Sequence, residues 1–332
     1  MKQIFTIDLS QDKSRENNYL SETLITKITQ TLEKKEKILL YLNKRGSFSS
    51  YICKECNYIS SCPNCDLSLS VHAYPDRCIC HHCFYEETLA SSCPECSGLE
   101  LQKIGVGTMQ IQESIMKLFP KAEVCRFDTD SLQTVGAKKE AVHMLGTADI
   151  IIGTKMITTG FNIQNLGLIG VILIEQELAI PRYNTEENVY SNIRQLLWRG
   201  GRVWQKTDII LQSYAVKNKT IRNITEKNYK DFFLSQLSER KIFSYPPYSE
   251  LAYLVYKHKD KQSSLAYMKK MYDRLHQKQT ETVHLTLVDK AIKRNNQYFS
   301  KIVLKGKNLR QFIEPLRKEI LLSSDLSINF ES

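Results

Sequence analysis

The chain has 332 residues, 42% hydrophobic and 25% charged, an ordinary globular mixture that excludes a disordered, collagen-like or coiled-coil protein and suggests two or three domains. No apolar run approaches the roughly 18 to 20 residues needed to cross a bilayer, so no membrane association is expected. The start, MKQIFTIDLS, lacks an apolar core and a small-residue cleavage site, which predicts no secretory signal and a cytoplasmic location. Charge is uneven. Residues 1–204 carry 22 Lys and Arg against 23 Asp and Glu, whereas residues 205–332 carry 24 against 13. A basic C-terminal third suits an acidic polymer such as nucleic acid, because clustered cations gain affinity by releasing phosphate counterions; a solvated helical face gives the same count.

Leu20, Leu24, Ile28 and Leu32 recur at helical spacing and predict a helix over 12–36, with Ser21 and Glu22 near its start, delivering the chain to a short apolar strand, KILLYL, at 37–42. A cysteine-rich block follows. Beyond it come a helix over 107–120, a strand at 123–128, a polar helix near 137–145, strands at 148–154 and 167–174, a helix over 185–198 and a strand at 207–214. Near-continuous Ile, Leu and Val strands separated by helices predict an α/β domain with a parallel sheet covered on both faces, the cysteine block inserted after its first strand. Residues 219–240 read as helical. Pro246 and Pro247 then punctuate a boundary, and strands at 251–258, 284–289 and 298–306 with helices at 262–278 and 309–322 predict a small α+β domain.

The cysteines are Cys53, Cys56, Cys62, Cys65, Cys80, Cys83, Cys93 and Cys96, four Cys-x-x-Cys pairs in 44 residues. Two intervening residues let both sulfurs of a pair reach one ion from a tight turn, so four pairs make two closed tetrahedra of thiolates. Such sites are structural, with no open position for water. The clustered spacings of iron–sulfur ligation are absent, and two Zn ions are expected. Cys78 and Cys125 fall outside the pattern, as a spare thiol and a small core residue. His81 and His82 sit inside the third pair and read as turn residues.

Chemistry in open parallel sheets gathers at the carboxyl ends of the strands. There Gly153, Thr154 and Lys155 offer a hydroxyl and a cation to phosphate oxygens. At the end of the 185–198 helix, Arg199-Gly200-Gly201-Arg202 can aim two guanidinium groups at one small anion, or complement the helix dipole. No Gly-x4-Gly-Lys-[Ser/Thr] and no Asp-Glu of a Walker B type occurs, so the chain alone is not expected to hydrolyse a nucleoside triphosphate.

The order LNKRG, four cysteine pairs, IGVGT with LFP, ADIIIGTKMITTGFNIQNLGLIGVILI, QLLWRGGR and ERKIFSYPPYSELA resembles the C-terminal half of the primosomal replication-restart DNA helicases, the PriA family. The resemblance covers nearly the whole chain from about Ile7. It implies an ATP-dependent 3′-to-5′ motor that recognises stalled forks and loads the primosome. It also implies a division of the chain: 1–50 and 101–215 as the second RecA-like lobe, 51–100 as an inserted zinc module and 216–332 as a C-terminal DNA-binding domain. On that resemblance Cys53, Cys56, Cys93 and Cys96 form an outer zinc site and Cys62, Cys65, Cys80 and Cys83 an inner one. Gly153, Thr154, Met156 and Gly160 match the motif coupling nucleotide to DNA, with Thr154 and Lys155 touching DNA. Gln195, Arg199 and Arg202 match the motif whose arginines face the nucleotide phosphates and act on the transferred charge; Gly160 and Gln195 join them around the nucleotide. Tyr245, Pro246 and Pro247 match the junction into the last domain.

This chain has Lys155 and Thr159 where the family usually has Gln and Lys, Leu197-Trp198 for an Ala-Gly pair, and Glu175-Gln176-Glu177 for an Asp-Ala-Asp-like segment. The first lobe, with its Walker A lysine, is not in the sequence, so ATP with Mg is expected only where such a lobe is supplied. Expected partners are forked or single-stranded DNA, primosome and single-strand-binding proteins, and a separate first lobe. A non-catalytic, zinc-containing fork-DNA adaptor and, more remotely, a zinc-ribbon RNA-binding protein are the competing expectations.

Overall fold

A computed structural model describes residues 4–11, 19–42, 50–53, 55–56, 58, 60, 62–63, 69–73, 76–79, 85–128, 142–158, 163–178, 180, 182–198, 207–226, 228–288, 291–294 and 296–331. Two compact units divide the chain, one of residues 1–81 and 86–229 and the other of residues 82–85 and 230–332. Among the described residues no helix is long and apolar enough to cross a membrane.

The first unit is built on a six-stranded sheet in which every neighbouring pair is parallel. In chain order its strands and main helices are β1 (Ile4–Asp8), α1 (Glu22–Glu33), β2 (Lys37–Tyr41), then, after the cysteine block, α2 (Thr108–Leu118), β8 (Val124–Phe127), β9 (Ile150–Gly153), α3 (Lys155–Thr158), β10 (Leu166–Val171), α4 (Glu175–Leu178), α5 (Thr185–Trp198), β11 (Asp208–Ser213) and α6 (Lys219–Glu226). The spatial order is β1-β11-β10-β2-β9-β8. The cysteine block supplies β3 (Ser50–Cys53) paired antiparallel with β7 (Leu101–Ile104), and a small sheet of β4 (Ser70–Ala73), β5 (Asp76–Ile79) and β6 (Glu86–Thr88).

The apolar strands behave as doubly covered strands should: every residue of β9 and β10 is buried, and so are 38–41 of β2. Alternation splits them between two faces. Ile38, Leu40, Ile150, Ile152, Leu168 and Ile210 form one core with Leu24 and Ile28 of α1 and Ile111 and Ile115 of α2. Leu39, Tyr41, Ile151, Ile169 and Ile209 alternate with them and are also buried. Close packing of α1 depends on Gly170, where an added Cβ would lie 2.9 Å from Leu40 Cδ2 and 3.1 Å from Leu24 Cδ1.

Several elements differ from the expectation. The first helix spans Glu22–Glu33 rather than 12–36, of which 12–18 lie outside the described residues. Ser21 sets its start by accepting the Leu24 N–H at 3.1 Å, and the buried Gln212 side chain accepts the Ser21 N–H at 2.8 Å, tying that cap to β11. Lys35, at a φ of 57°, turns the chain out of the helix. β1 was not expected at all and pairs in parallel with β11 at the sheet's edge. The expected polar helix near 137–145 falls largely outside the described residues.

The second unit contains α7 (Tyr229–Ile242, from its second residue), β12 (Glu250–His258), α8 (Lys261–His276), β13 (Val283–Leu287), β14 (Ile292–Arg294), β15 (Gln297–Gly306), α9 (Leu309–Ile313), a 3₁₀ turn (Glu314–Leu316), α10 (Arg317–Leu322) and β16 (Leu326–Glu331). Its antiparallel sheet runs β13-β15-β12-β16, with β14 also on β15. Helices α8 and α9 cover one face, where Met268, Met271, Leu275, Leu309 and Ile313 meet Ala252, Leu254, Ile302 and Leu304. The expected 219–240 helix is two helices, α6 and α7. The expected 309–322 helix is interrupted where Pro315, lacking an N–H, tightens the chain into the 3₁₀ turn. The α/β lobe, the inserted cysteine module and the small α+β unit are the fold class expected from the sequence.

Candidate metal centre and the carboxyl edge of the parallel sheet

Four cysteine sulfurs converge. Cys53 ends β3, and its backbone N–H donates to Tyr58 O at 2.9 Å, folding Cys53–Cys56 into a turn. Cys93 and Cys96 form a matching turn closed by Ser97 N–H to Cys93 O and Cys93 N–H to Gly98 O, both 2.8 Å. The antiparallel pairing of β3 with β7 brings the two turns together, with Cys53 opposite Leu101. Cys53 Sγ lies 3.6 Å from Cys96 Sγ and Cys56 Sγ 3.5 Å from Cys93 Sγ, and all four sulfurs fall within 4.8 Å of one another. A tetrahedral ion with metal–sulfur bonds near 2.3 Å places its sulfurs about 3.8 Å apart, so the four fit a zinc-sized ion.

Loss of hydration, opposed by the Tyr58 N–H and aided by hydrogen bonding with Cys96, Cys93 and Cys53, pushes the Cys56 thiol up to about 12. At Cys93 desolvation also raises the thiol, but the N–H groups of Cys96 and Glu95 and the thiols of Cys56 and Cys96 outweigh it and hold the group below its ordinary range. Four sulfurs this close share protons unevenly, and a central dication removes the conflict by deprotonating its ligands. Cys62 is buried; Cys65, Cys80 and Cys83 lie outside the described residues.

At the carboxyl edge of the large sheet, Thr154 directly follows β9 and is buried, its N–H donating to Phe127 O at 3.4 Å. Lys155 begins α3, half-buried. Gly153 permits this turn, since a Cβ there would lie 2.9 Å from Ile157 Cγ2. Gln195 sits exposed on α5, its amide 3.3 Å from Ser191 Oγ. Gly160, Arg199 and Arg202 lie outside the described residues.

Sequence reasoning missed the polar network beneath this edge. Tyr41, the last residue of β2, donates to Glu177 Oε2 at 3.0 Å, and Asn192 Nδ2 of α5 donates to Glu177 Oε1. Glu175 Oε1 accepts from Ser213 Oγ and the N–H groups of Tyr214 and Ala215. Burial raises the Glu175 carboxyl above its ordinary range despite those donors, and burial next to Glu177 raises Tyr41 well above the usual phenol. The two glutamates therefore fasten the end of β10 to β11 on one side and to β2 and α5 on the other. One signal was available: Asn192 stands among Val189, Ile193 and Leu196 on the apolar face of α5.

Comparison with known proteins places these features. Residues 62–87, which include Cys62, Cys65, Cys80 and Cys83, match the model of the PriA DNA helicase Cys-rich region domain. The chain is 32% identical over 263 residues to the replication restart protein PriA of Bacillus subtilis, covering 78% of this chain and 33% of that protein. The PriA of Rickettsia typhi is 34% identical over 252 residues, covering 75% of this chain and 39% of its own length. The PriA of Borreliella burgdorferi is 25% identical over 324 residues, covering 96% and 49%. The chain thus spans a third to a half of the relatives it matches. Among solved structures, S. cerevisiae Dbp5 bound to RNA and ADP BeF3 matches with a TM-score of 0.34 at 9% identity, over 73% of this chain and 45% of that one.

Proposed function

We propose, from the premise that this chain is homologous to the C-terminal part of the replication restart protein PriA, that it is the zinc-bearing, DNA-binding portion of a replication restart helicase. The observation that carries this reading is the convergence of Cys53, Cys56, Cys93 and Cys96 beside a PriA-type Cys-rich region, in a module inserted into a parallel α/β lobe. Two zinc ions hold that module, one on those four thiolates and one on Cys62, Cys65, Cys80 and Cys83. Zinc supplies folding energy there, not chemistry, because both sites are closed.

In this reading Thr154 and Lys155 contact DNA phosphate, and residues 216–332 bind forked or single-stranded DNA. Arg199 and Arg202, with Gly160 and Gln195, face the phosphates of an ATP held with Mg by a first motor lobe where one is supplied; their positive charge offsets the charge that develops during phosphoryl transfer. Glu177 and Asn192 are positioning residues: they hold α5, the helix that leads to Arg199, against the end of β2. Working in the cytoplasm, the protein meets primosome and single-strand-binding proteins at stalled forks.

The departures at Lys155, Thr159 and Leu197-Trp198 favour a second reading, a fork-binding adaptor without motor function. Mixing the chain with a PriA first lobe and forked DNA separates the two. The motor reading expects ATP turnover that falls by orders of magnitude in Arg202→Ala while DNA binding persists. DNA binding with no response to ATP supports the adaptor, and no DNA binding removes both.

A further inference from the structure

In the second unit β12, α8, β13, β15, α9 and β16 follow one another as β-α-β-β-α-β, and the strands lie in the order β13-β15-β12-β16. The first and third main strands are therefore neighbours in the middle of the sheet, and both helices cover one face. Ala252, Leu254, Ile302 and Leu304 point into that helix-covered core. By alternation Tyr253, Val255 and Lys257 of β12 and Phe299, Lys301 and Val303 of β15 point to the opposite face.

That face interleaves aromatic and cationic side chains. Lys257 lies directly across from Phe299, Val255 from Lys301 and Tyr253 from Val303. Tyr253, Lys257, Phe299 and Lys301 are each half-exposed, and the bordering Ser327, Asn329, His284 and Thr286 are exposed. Lys301 Nζ lies 5.4 Å from the centroid of the Tyr253 ring, so a cation already occupies a stacking seat. One end of the face is closed: Lys305 donates to Phe243 O at 3.0 Å and lies 4.9 Å over the Tyr245 ring. The acids flank the β16 side, Asp325 being 3.8 Å from Lys257 and Glu331 3.4 Å from the Tyr253 hydroxyl. Phosphates are therefore directed toward β15.

A split β-α-β sheet with aromatics on its two central strands is the arrangement on which nucleic acid-binding modules stack unpaired bases. We propose that the helix-free face of this sheet binds single-stranded DNA, with bases stacking on Tyr253 and Phe299 and phosphates paired by Lys257 and Lys301. The choice of DNA rests on the functional reading above. Tyr253 and Phe299 are about 13 Å apart along the strands, so the two stacked bases are not adjacent ones. A base arriving on Tyr253 takes the place of the Lys301 ammonium on the ring.

The test is fluorescence anisotropy of the zinc-loaded full chain with an oligothymidine of about 15 nucleotides and, separately, a labelled DNA fork. Tyr253→Ala and Phe299→Ala should each weaken oligothymidine binding by about 5- to 100-fold with an unchanged salt slope, whereas Tyr253→Phe keeps the affinity. Lys301→Gln should lower the slope of log affinity against log salt by about 0.7. Parent-like binding by Tyr253→Ala overturns the proposal, as does a parent chain that binds the fork but not oligothymidine; failure to bind either overturns the functional reading as well. Tighter binding of oligouridine overturns the assignment to DNA. Photocrosslinking of bromodeoxyuridine to the unsubstituted chain should label Tyr253 or Phe299, and labels confined to other residues overturn the proposal whether or not the alanine variants fold.

Discussion

Tyr41 and Glu177, separated by 136 positions in sequence, share a buried hydrogen bond of 3.0 Å that joins the end of β2 to α4, the short helix after β10. Neither side chain reaches solvent, and Glu177 is held from the other side by Asn192. Removing the Tyr41 hydroxyl withdraws a donor from a buried carboxylate, which costs about 1 to 3 kcal/mol. Tyr41→Phe is therefore expected to lower the unfolding free energy of the α/β lobe by that amount, read as a lower urea midpoint by circular dichroism, without loss of zinc.

Glu175 predicts a pH dependence with a definite sign. Its folded pKa lies above the unfolded value because burial opposes ionisation. The stability tied to it is thus fully present below the unfolded carboxylate range and is lost as pH rises through the folded pKa. Glu175→Gln, which keeps an oxygen for Ser213, Tyr214 and Ala215, should gain stability relative to the parent as the pH is raised from about 4 to 8. Denaturant titrations at several pH values read the difference, and a parent–variant gap that does not change with pH would remove Glu175 from this role.

Such residues mark where sequence reading stopped. The cysteine pairs were legible because ligand chemistry demands a local spacing, and the 185–198 helix because Val189, Ile193 and Leu196 recur at helical spacing. Glu175, Glu177 and Gln212 were not, since polar residues beside a strand end look like loop until the partners arrive from distant segments. β1 was missed for a related reason: an edge strand with Phe5 and Thr6 exposed has no continuous apolar run. The division of 219–240 into two helices and the turn at Pro315 were readable in kind but not in place. Ser21 was legible near the start of α1, because its capping of the Leu24 N–H is local; that Gln212, on the far side of the sequence, accepts the Ser21 N–H was not.

Gly306 offers a test in the second unit. A Cβ there would lie 2.2 Å from Thr282 O and 2.9 Å from Val283 Cα, both backbone atoms that cannot rotate away. Gly306→Ala should force β13 off β15 and cost about 3 kcal/mol or more. Hydrogen exchange is expected to show lost protection across 283–287 while the parallel sheet of the first unit keeps its own.

Zinc content tests the cysteine assignment. The parent should carry two equivalents per chain by elemental analysis, and Cys93→Ala should lose the one held with Cys53, Cys56 and Cys96. The parallel sheet, which draws its core from other residues, is expected to persist in that variant by circular dichroism.

The most direct measurement is the affinity of the zinc-loaded chain for a labelled DNA fork across a salt series. A DNA-binding portion of a replication restart helicase with a C-terminal third of 24 basic against 13 acidic residues predicts binding whose logarithm falls linearly with log salt. Absence of binding at low salt, or an affinity indifferent to salt, would contradict it.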